Sequence, residues 1–399
     1  MTSRYYEFYC PVKILAGLKA LEHLPAELAE RGCAAPMVLT DKGVREAGLI
    51  KHVEIVFEEA GLSVGPVFDD IPPDSSTDVV ETIARQFRAR NCDSLIAVGG
   101  GSVMDTAKAV NILVSEGGEF LRAYVGAHKL TRPLKPLIAI ATTAGTGSEV
   151  TTVAVIKDTH KQKKDAFQST HLMPAVAVID PRMTQTVPPV ITAATAMDAL
   201  THAVEAFTCI AKNPLSDAYA SAAIRKIVTA LPLVLAKPGH ADARLELAEA
   251  ATMAGIAFSN SMVGLVHAIG HSLGAVCHLH HGTCMSLLLP YVLEYNFDAI
   301  QDDLGALLPF LAGDDIARAT PQEERAKAAI AAIRDLRDDI FDATQLPRSL
   351  SESGKVEKSQ FAKIADLSVD DGALMFNPVE ADRSDVLSIL ERAWSLPDR

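Results

Sequence analysis

The sequence predicts an α/β layer built on a mostly parallel sheet, followed by an all-helical domain. Three observations predict it. Short apolar runs in the first half end abruptly in glycine, threonine or aspartate. Helical patterns lie between those runs, and no strand-like run follows Pro189. Parallel strands covered on both faces read as such continuous apolar runs, not as alternating ones.

Residues 36–41 (PMVLTD) are the first such run and end in an acid. Residues 94–98 run into three glycines, 137–141 into Thr-Thr-Ala-Gly-Thr-Gly, and 175–179 into Asp-Pro. Residues 77–90 and 103–115 carry helical pattern between them. Beyond the Pro188-Pro189 pair, Ala- and Leu-rich helical pattern covers 193–209, 216–235, 241–260, 265–276 and 323–342. A boundary at the two prolines divides the chain into an α/β domain over residues 1–189 and a helical domain over 190–399.

The 399 residues are 49% hydrophobic and 22% charged, an ordinary globular balance for two or three domains. A net charge of −13 argues against a nucleic-acid or anionic-membrane surface and says nothing about small substrates. The 6 cysteines are scattered with no C-x-x-C pair, which reads as reduced thiols in a cytoplasm. No basic segment followed by an apolar one opens the chain, and the apolar stretch near 285–293 is too short for a membrane span. The expectation from these bounds is a cytoplasmic protein.

Two turns stand out. Gly99, Gly100, Gly101 and Ser102 join a strand to a helix, where glycine permits positive φ and close approach of backbone N–H groups to an anion. Residues 142–149 (TTAGTGSE) follow another buried strand and offer hydroxyls beside exposed donors. Two such turns at strand ends suit a dinucleotide lying across the carboxyl edge of the sheet. Asp41, also at a strand end, could accept from a ribose 2′-OH and repel a 2′-phosphate, favouring NAD over NADP; a plain helix cap is the commoner role for such an acid.

Histidines cluster in the helical half. Asp198 and His202 lie at i, i+4 on one helix face, as do His267 and His271, and His278, His280 and His281 follow. Imidazoles with a carboxylate suit Fe²⁺ or Zn²⁺. Spacing alone does not choose the ligands among 7 histidines from His202 to His281.

Together the blocks GGGSVMDTAK (99–108), TTAGTGSE (142–149), MDALTH (197–202), LVHAIGHSLG (265–274) and His281-Gly282 resemble the iron-containing (group III) alcohol dehydrogenase family. The likeness runs from residues 8–17 to Asn377-Pro378. It implies the dehydroquinate synthase-like architecture, with a Rossmann-like α/β domain before the all-α domain. It further implies that Asp198, His202, His267 and His281 bind the metal, iron with zinc as the alternative, and that His271 lies beside nicotinamide and substrate. Gly99, Gly100, Gly101 and Ser102 would hold the pyrophosphate, with Asp105 in the same cofactor site. Thr142, Thr143 and Thr146 would line the cofactor cleft, and Lys164 would reach the ribose. Two features depart from the family. Residues 71–76 (IPPDSS) replace its usual P-N-P-T, and His278 and His280 are additional, read as supporting or surface residues.

The activity this implies is NAD-linked interconversion of an alcohol and its aldehyde or ketone, in a homodimer or higher homo-oligomer. His271 would relay the proton, imidazoles being suited to that near neutral pH. A hydroxyacid–oxoacid transhydrogenase with retained NAD is the nearest alternative. A dehydroquinate synthase-like lyase would want a Lys and Arg cluster near 267–281, which is missing, and a non-catalytic metal- or nucleotide-binding protein is the remote one.

Overall fold

The computed structural model describes residues 5–159 and 163–396. The described residues form two compact units, Tyr9–Val187 and residues 188–396, the second including residues 5–8.

The first unit holds strands β1 (Lys13–Ala16), β2 (Pro36–Leu39), β3 (Val67–Phe68), β4 (Ser94–Gly99), β5 (Gly126–Ala127), β6 (Leu137–Ala141), β7 (Val153–Asp158), β8 (Lys163–Gln168) and β9 (Val176–Ile179). Six form one sheet in the order β1-β9-β6-β4-β2-β3, with every pairing parallel. The four runs read from the sequence are β2, β4, β6 and β9. All four are buried throughout, because side chains alternate between two covered faces. Met37, Leu39, Leu95, Ala97, Leu137 and Ala139 enter one core with the Thr77–Ala89 and Gly101–Glu116 helices. Val38, Ile96, Val98, Ile138 and Ile140 enter the other, against Leu24, Leu28, Val53 and Phe57.

A smaller sheet, β5-β8-β7, was not apparent in the sequence. Its β7–β8 hairpin is antiparallel and one-sided: Ala154, Ile156 and Phe167 are buried while Val155, Lys164 and Ala166 are exposed. Such alternation with charged residues lacks the continuous apolar signal of the main strands. The hairpin is fastened from below. Lys108, fully buried on the Gly101–Glu116 helix, donates to Thr151 O (3.0 Å), Thr151 Oγ1 (2.9 Å) and Val153 O (2.9 Å). Three acceptors match the three donors of an ammonium group.

Among the described residues no strand follows Ile179. The helical unit begins with Pro189–Thr208, whose first position is proline, as its fixed φ favours. Pro214–Ala236, Ala241–Ser259, Leu265–Cys277 and His281–Tyr295 follow. Pro214–Ala236 is long and apolar enough to cross a membrane by length and composition, with mean hydropathy 1.4. It packs instead on Pro189–Thr208 and Ala241–Ser259, as a core helix does.

Candidate active site

Helix periodicity builds the centre of the site. Asp198 and His202 are one turn apart on Pro189–Thr208, and both are buried. His267 enters from Leu265–Cys277 and His281 from the first position of His281–Tyr295. Three imidazole nitrogens converge on Asp198 Oδ1: His281 Nε2 at 3.3 Å, His267 Nε2 at 3.8 Å and His202 Nε2 at 3.9 Å. Donors about 2.1 Å from a tetrahedral ion stand about 3.4 Å from one another, so these separations suit one ion. Asp198, His267 and His281 form the tight group, their ligand atoms all within 4.8 Å of each other. His202 stands just outside it and stacks on His267, ring centroids 4.6 Å apart.

The donors are also left without other work. Asp198 Oδ1 and His267 Nε2 are buried with no hydrogen-bond partner. Buried polar atoms are rarely orphaned unless something absent from the chain completes them. Burial depresses His202 to about 3 and holds His267 well below the ordinary imidazole range, so both offer lone pairs instead of protons. Burial pushes the Asp198 carboxyl up, but His202, His281 and His267 together outweigh it and hold the group below its ordinary range. The donor set fits a divalent ion: Asp198, His267 and His281 could hold one, with His202 beside them.

Two acids that sequence reasoning missed orient the imidazoles. Glu205, three residues past His202 on the same stripe, places Oε2 2.5 Å from His267 Nδ1 and accepts the Val266 amide at 2.8 Å. Burial lifts its carboxyl to about 7, against the Gly264 and Val266 amides. That i, i+7 relation to Asp198 was readable in the sequence. Asp371 lies 100 residues beyond His271, with Oδ2 2.9 Å from His271 Nδ1. Burial raises the Asp371 carboxyl, but the His271 hydrogen bond leads a set of interactions that bring it below its ordinary range. No spacing rule could have found that partner.

His271 itself is part-exposed and stacks on His281, centroids 5.4 Å apart, beside the cluster. The helix that carries His267 and His271 is gripped at its start by Asn377, whose Oδ1 accepts the Leu265 amide at 3.2 Å. Asn377 in turn exchanges amide hydrogen bonds with Asn296, at 2.8 and 2.9 Å. His278 and His280 are exposed and stand outside the cluster. His278, with φ 53°, ends one helix, and His280 stands at the N-cap position of the next.

In the α/β unit the structure brings the two turns together at the ends of the adjacent strands β4 and β6. The Thr142 amide donates to Gly99 O at 3.1 Å. The glycines answer to close approach and not to positive φ. Gly100 has φ −91°, and none of Gly99, Gly100 and Gly101 enters the left-handed region. A Cβ on Gly100 would lie 3.0 Å from Thr143 Oγ1, and one on Gly101 2.9 Å from Thr146 Cγ2. The left-handed glycine is Gly147 in the second turn, φ 62°. Asp105 faces inward: its oxygens accept from Ser148 Oγ (2.8 Å) and the Val155 amide (3.0 Å), tying the second turn and β7 to the helix. Asp41 caps the short helix Lys42–Glu46, accepting the Val44 amide at 2.9 Å. Lys164, exposed on β8, pairs with Asp74 at 2.6 Å.

Comparison with known proteins adds to this geometry. The family model for iron-containing alcohol dehydrogenase matches residues 11–181, and that for the C-terminal part of the Fe-containing alcohol dehydrogenase family matches residues 192–394. The NAD-dependent methanol dehydrogenase of Bacillus methanolicus is 33% identical over 97% of this chain and 99% of its own. The 1,3-propanediol dehydrogenase of Klebsiella pneumoniae is 34% identical over 99% of this chain and 100% of its own. A crystal structure of 1,3-propanediol oxidoreductase superposes with a TM-score of 0.93 at 33% identity, covering 98% of this chain and 100% of that one.

Proposed function

Because the chain belongs to the iron-containing alcohol dehydrogenase family, we propose a specific division of labour among its residues. The chain is a metal-dependent, NAD-linked oxidoreductase that interconverts an alcohol with its aldehyde or ketone. Iron, when bound, supplies a Lewis acid that lowers the pKa of an alcohol, and NAD supplies the hydride acceptor.

The chain's own residues do the rest. Asp198, His202, His267 and His281 hold the ion, with Asp198 contributing the single negative charge among four donors. Glu205 keeps His267 Nδ1 occupied, so that Nε2 is the free nitrogen. Asp371 does the same for His271, leaving its Nε2 to take the alcohol proton and pass it to solvent through its exposed edge. Gly99, Gly100, Gly101 and Ser102 present the positive end of a helix to the pyrophosphate. Thr142, Thr143 and Thr146 pack behind them, with Asp105 holding that packing in place. Lys164 meets the ribose, and Asp41 disfavours a 2′-phosphate. The assembly is a homodimer or higher homo-oligomer in the cytoplasm.

The observation that carries this reading is the convergence of three imidazoles on one orphaned carboxylate oxygen. A panel of alcohols and aldehydes with NAD(H) and NADP(H), run on protein of measured iron and zinc content, tests it. Turnover should scale with metal occupancy and favour NAD. Equal turnover in metal-free protein would overturn the ligand assignment.

A further inference from the structure

Asp74 lies in the 71–76 loop with φ 54°, the left-handed region that few residues other than glycine, asparagine and aspartate enter. Two prolines precede it. Just beyond it the loop is pinned to the hairpin, the Lys157 amide donating to Ser75 O at 2.9 Å. Held this way, Asp74 turns both backbone and side chain toward the glycine turn. Its N–H donates to Ser102 Oγ at 3.4 Å, and its Oδ1 accepts from Lys164 Nζ at 2.6 Å. Lys164 belongs to β8, whose partner β7 is fastened to the helix of Ser102 through Asp105 and Lys108. A carboxylate, an ammonium group and the hydroxyl at a helix N-terminus therefore meet at one place.

A carboxylate opposes anion binding beside such a turn. Its charge is matched by Lys164, but the pair stands in water, with the Asp74 side chain 67% exposed and the Lys164 side chain 42% exposed. An exposed pair of this kind biases an equilibrium by about fivefold at most, so a ligand's hydroxyl and phosphate groups can replace it. We propose that Asp74 and Lys164 form an exchangeable clasp: the dinucleotide takes Lys164 from Asp74 as it binds, so Asp74 sets how tightly the cofactor is held and how fast it leaves. The clasp rests on the reading of the 99–102 turn as the pyrophosphate site and of Lys164 as a cofactor contact.

D74N keeps the size of the side chain and its tolerance of left-handed backbone while removing the charge. Binding is read without substrate, by NADH fluorescence titration and stopped-flow release on the whole protein. D74N should lower the NADH Kd about two- to fivefold and slow release by a similar factor, on the scale of one exposed ion pair. K164M should raise the Kd about fivefold or more. In the K164M background, D74N should change Kd less than about twofold, because the Lys164 contact that the dinucleotide would take over is already gone. An unchanged or weaker NADH affinity in D74N, or an equal gain with and without Lys164, overturns the clasp. Amide exchange over residues 99–106 separates the two layers. Protection by NADH there, with a failed cycle, removes the clasp alone. No protection, with K164M unaffected, removes the pyrophosphate reading and the clasp with it.

Discussion

Glu205 Oε2 lies 2.5 Å from His267 Nδ1, while the other oxygen of the same carboxylate accepts the Val266 amide at 2.8 Å. One side chain thus fixes both the ring and the backbone that presents it. E205Q should keep the fold and lower metal affinity about 10- to 100-fold, the usual cost of losing an acid behind a ligating imidazole. Metal content after competition with a chelator measures this, and full retention would remove Glu205 from the site.

His271 and His267 sit one turn apart, yet their substitutions should part company. H267A should lose the ion. H271A should keep it, lower turnover about 10²- to 10⁴-fold, and alter the pH–rate profile. A profile unchanged in shape would sink the relay role.

Two glycines test how tightly the ligand helices are packed. A Cβ on Gly282 would fall 2.1 Å from Ala194 O, a backbone atom of the helix that carries Asp198. A Cβ on Gly270 would meet Met285 Cε at 1.9 Å, the far end of a flexible side chain. G282A should therefore cost about 2 to 3 kcal/mol and reduce metal retention, while G270A should cost under about 1.5 kcal/mol. Thermal or denaturant unfolding of the pair reads the contrast.

Much of this was legible in the residues, and the gaps have physical causes. Continuous apolar runs disclosed β2, β4, β6 and β9 because both faces of that sheet are buried. The β7–β8 hairpin escaped because one face meets water and breaks the run with lysines and aspartates. Asp198, His202, His267 and His271 were visible as i, i+4 pairs, since one helix carries each pair. Asp371 and Asn377 were not, because only the folded chain brings them to residues 100 and 112 positions away. The glycine turn was read as a place for positive φ and close approach to an anion; none of its three glycines has positive φ, and the near neighbours of Gly100 and Gly101 are Thr143 and Thr146.

Lys108 offers a pH test in the α/β unit. Burial lowers it from the ordinary lysine value to about 8, against the pull of Asp105 and Glu149. Between about pH 8 and 10.5 the unfolded chain binds a proton that the folded one has released, so this lysine makes stability rise with pH across that window. Below pH 8 its contribution is constant. Each pH unit inside the window is worth up to about 1.4 kcal/mol. Unfolding curves for wild type and K108M should diverge with that sign from pH 8 upward. K108M itself should be destabilised at pH 7, since it strands Thr151 and Val153 oxygens in a buried place.

The grips on the Leu265–Cys277 helix also carry a kinetic consequence. The Asn377 and Asp371 bonds that seat that helix close loops of 112 and 100 residues. Closing loops of that length is slow compared with winding a helix. During refolding, helical signal should return first and the capacity to capture a metal ion should lag behind it. The centre is then a late-maturing feature, and a ligand set with every residue in place stays incompetent until a distant stretch of chain arrives to seat it.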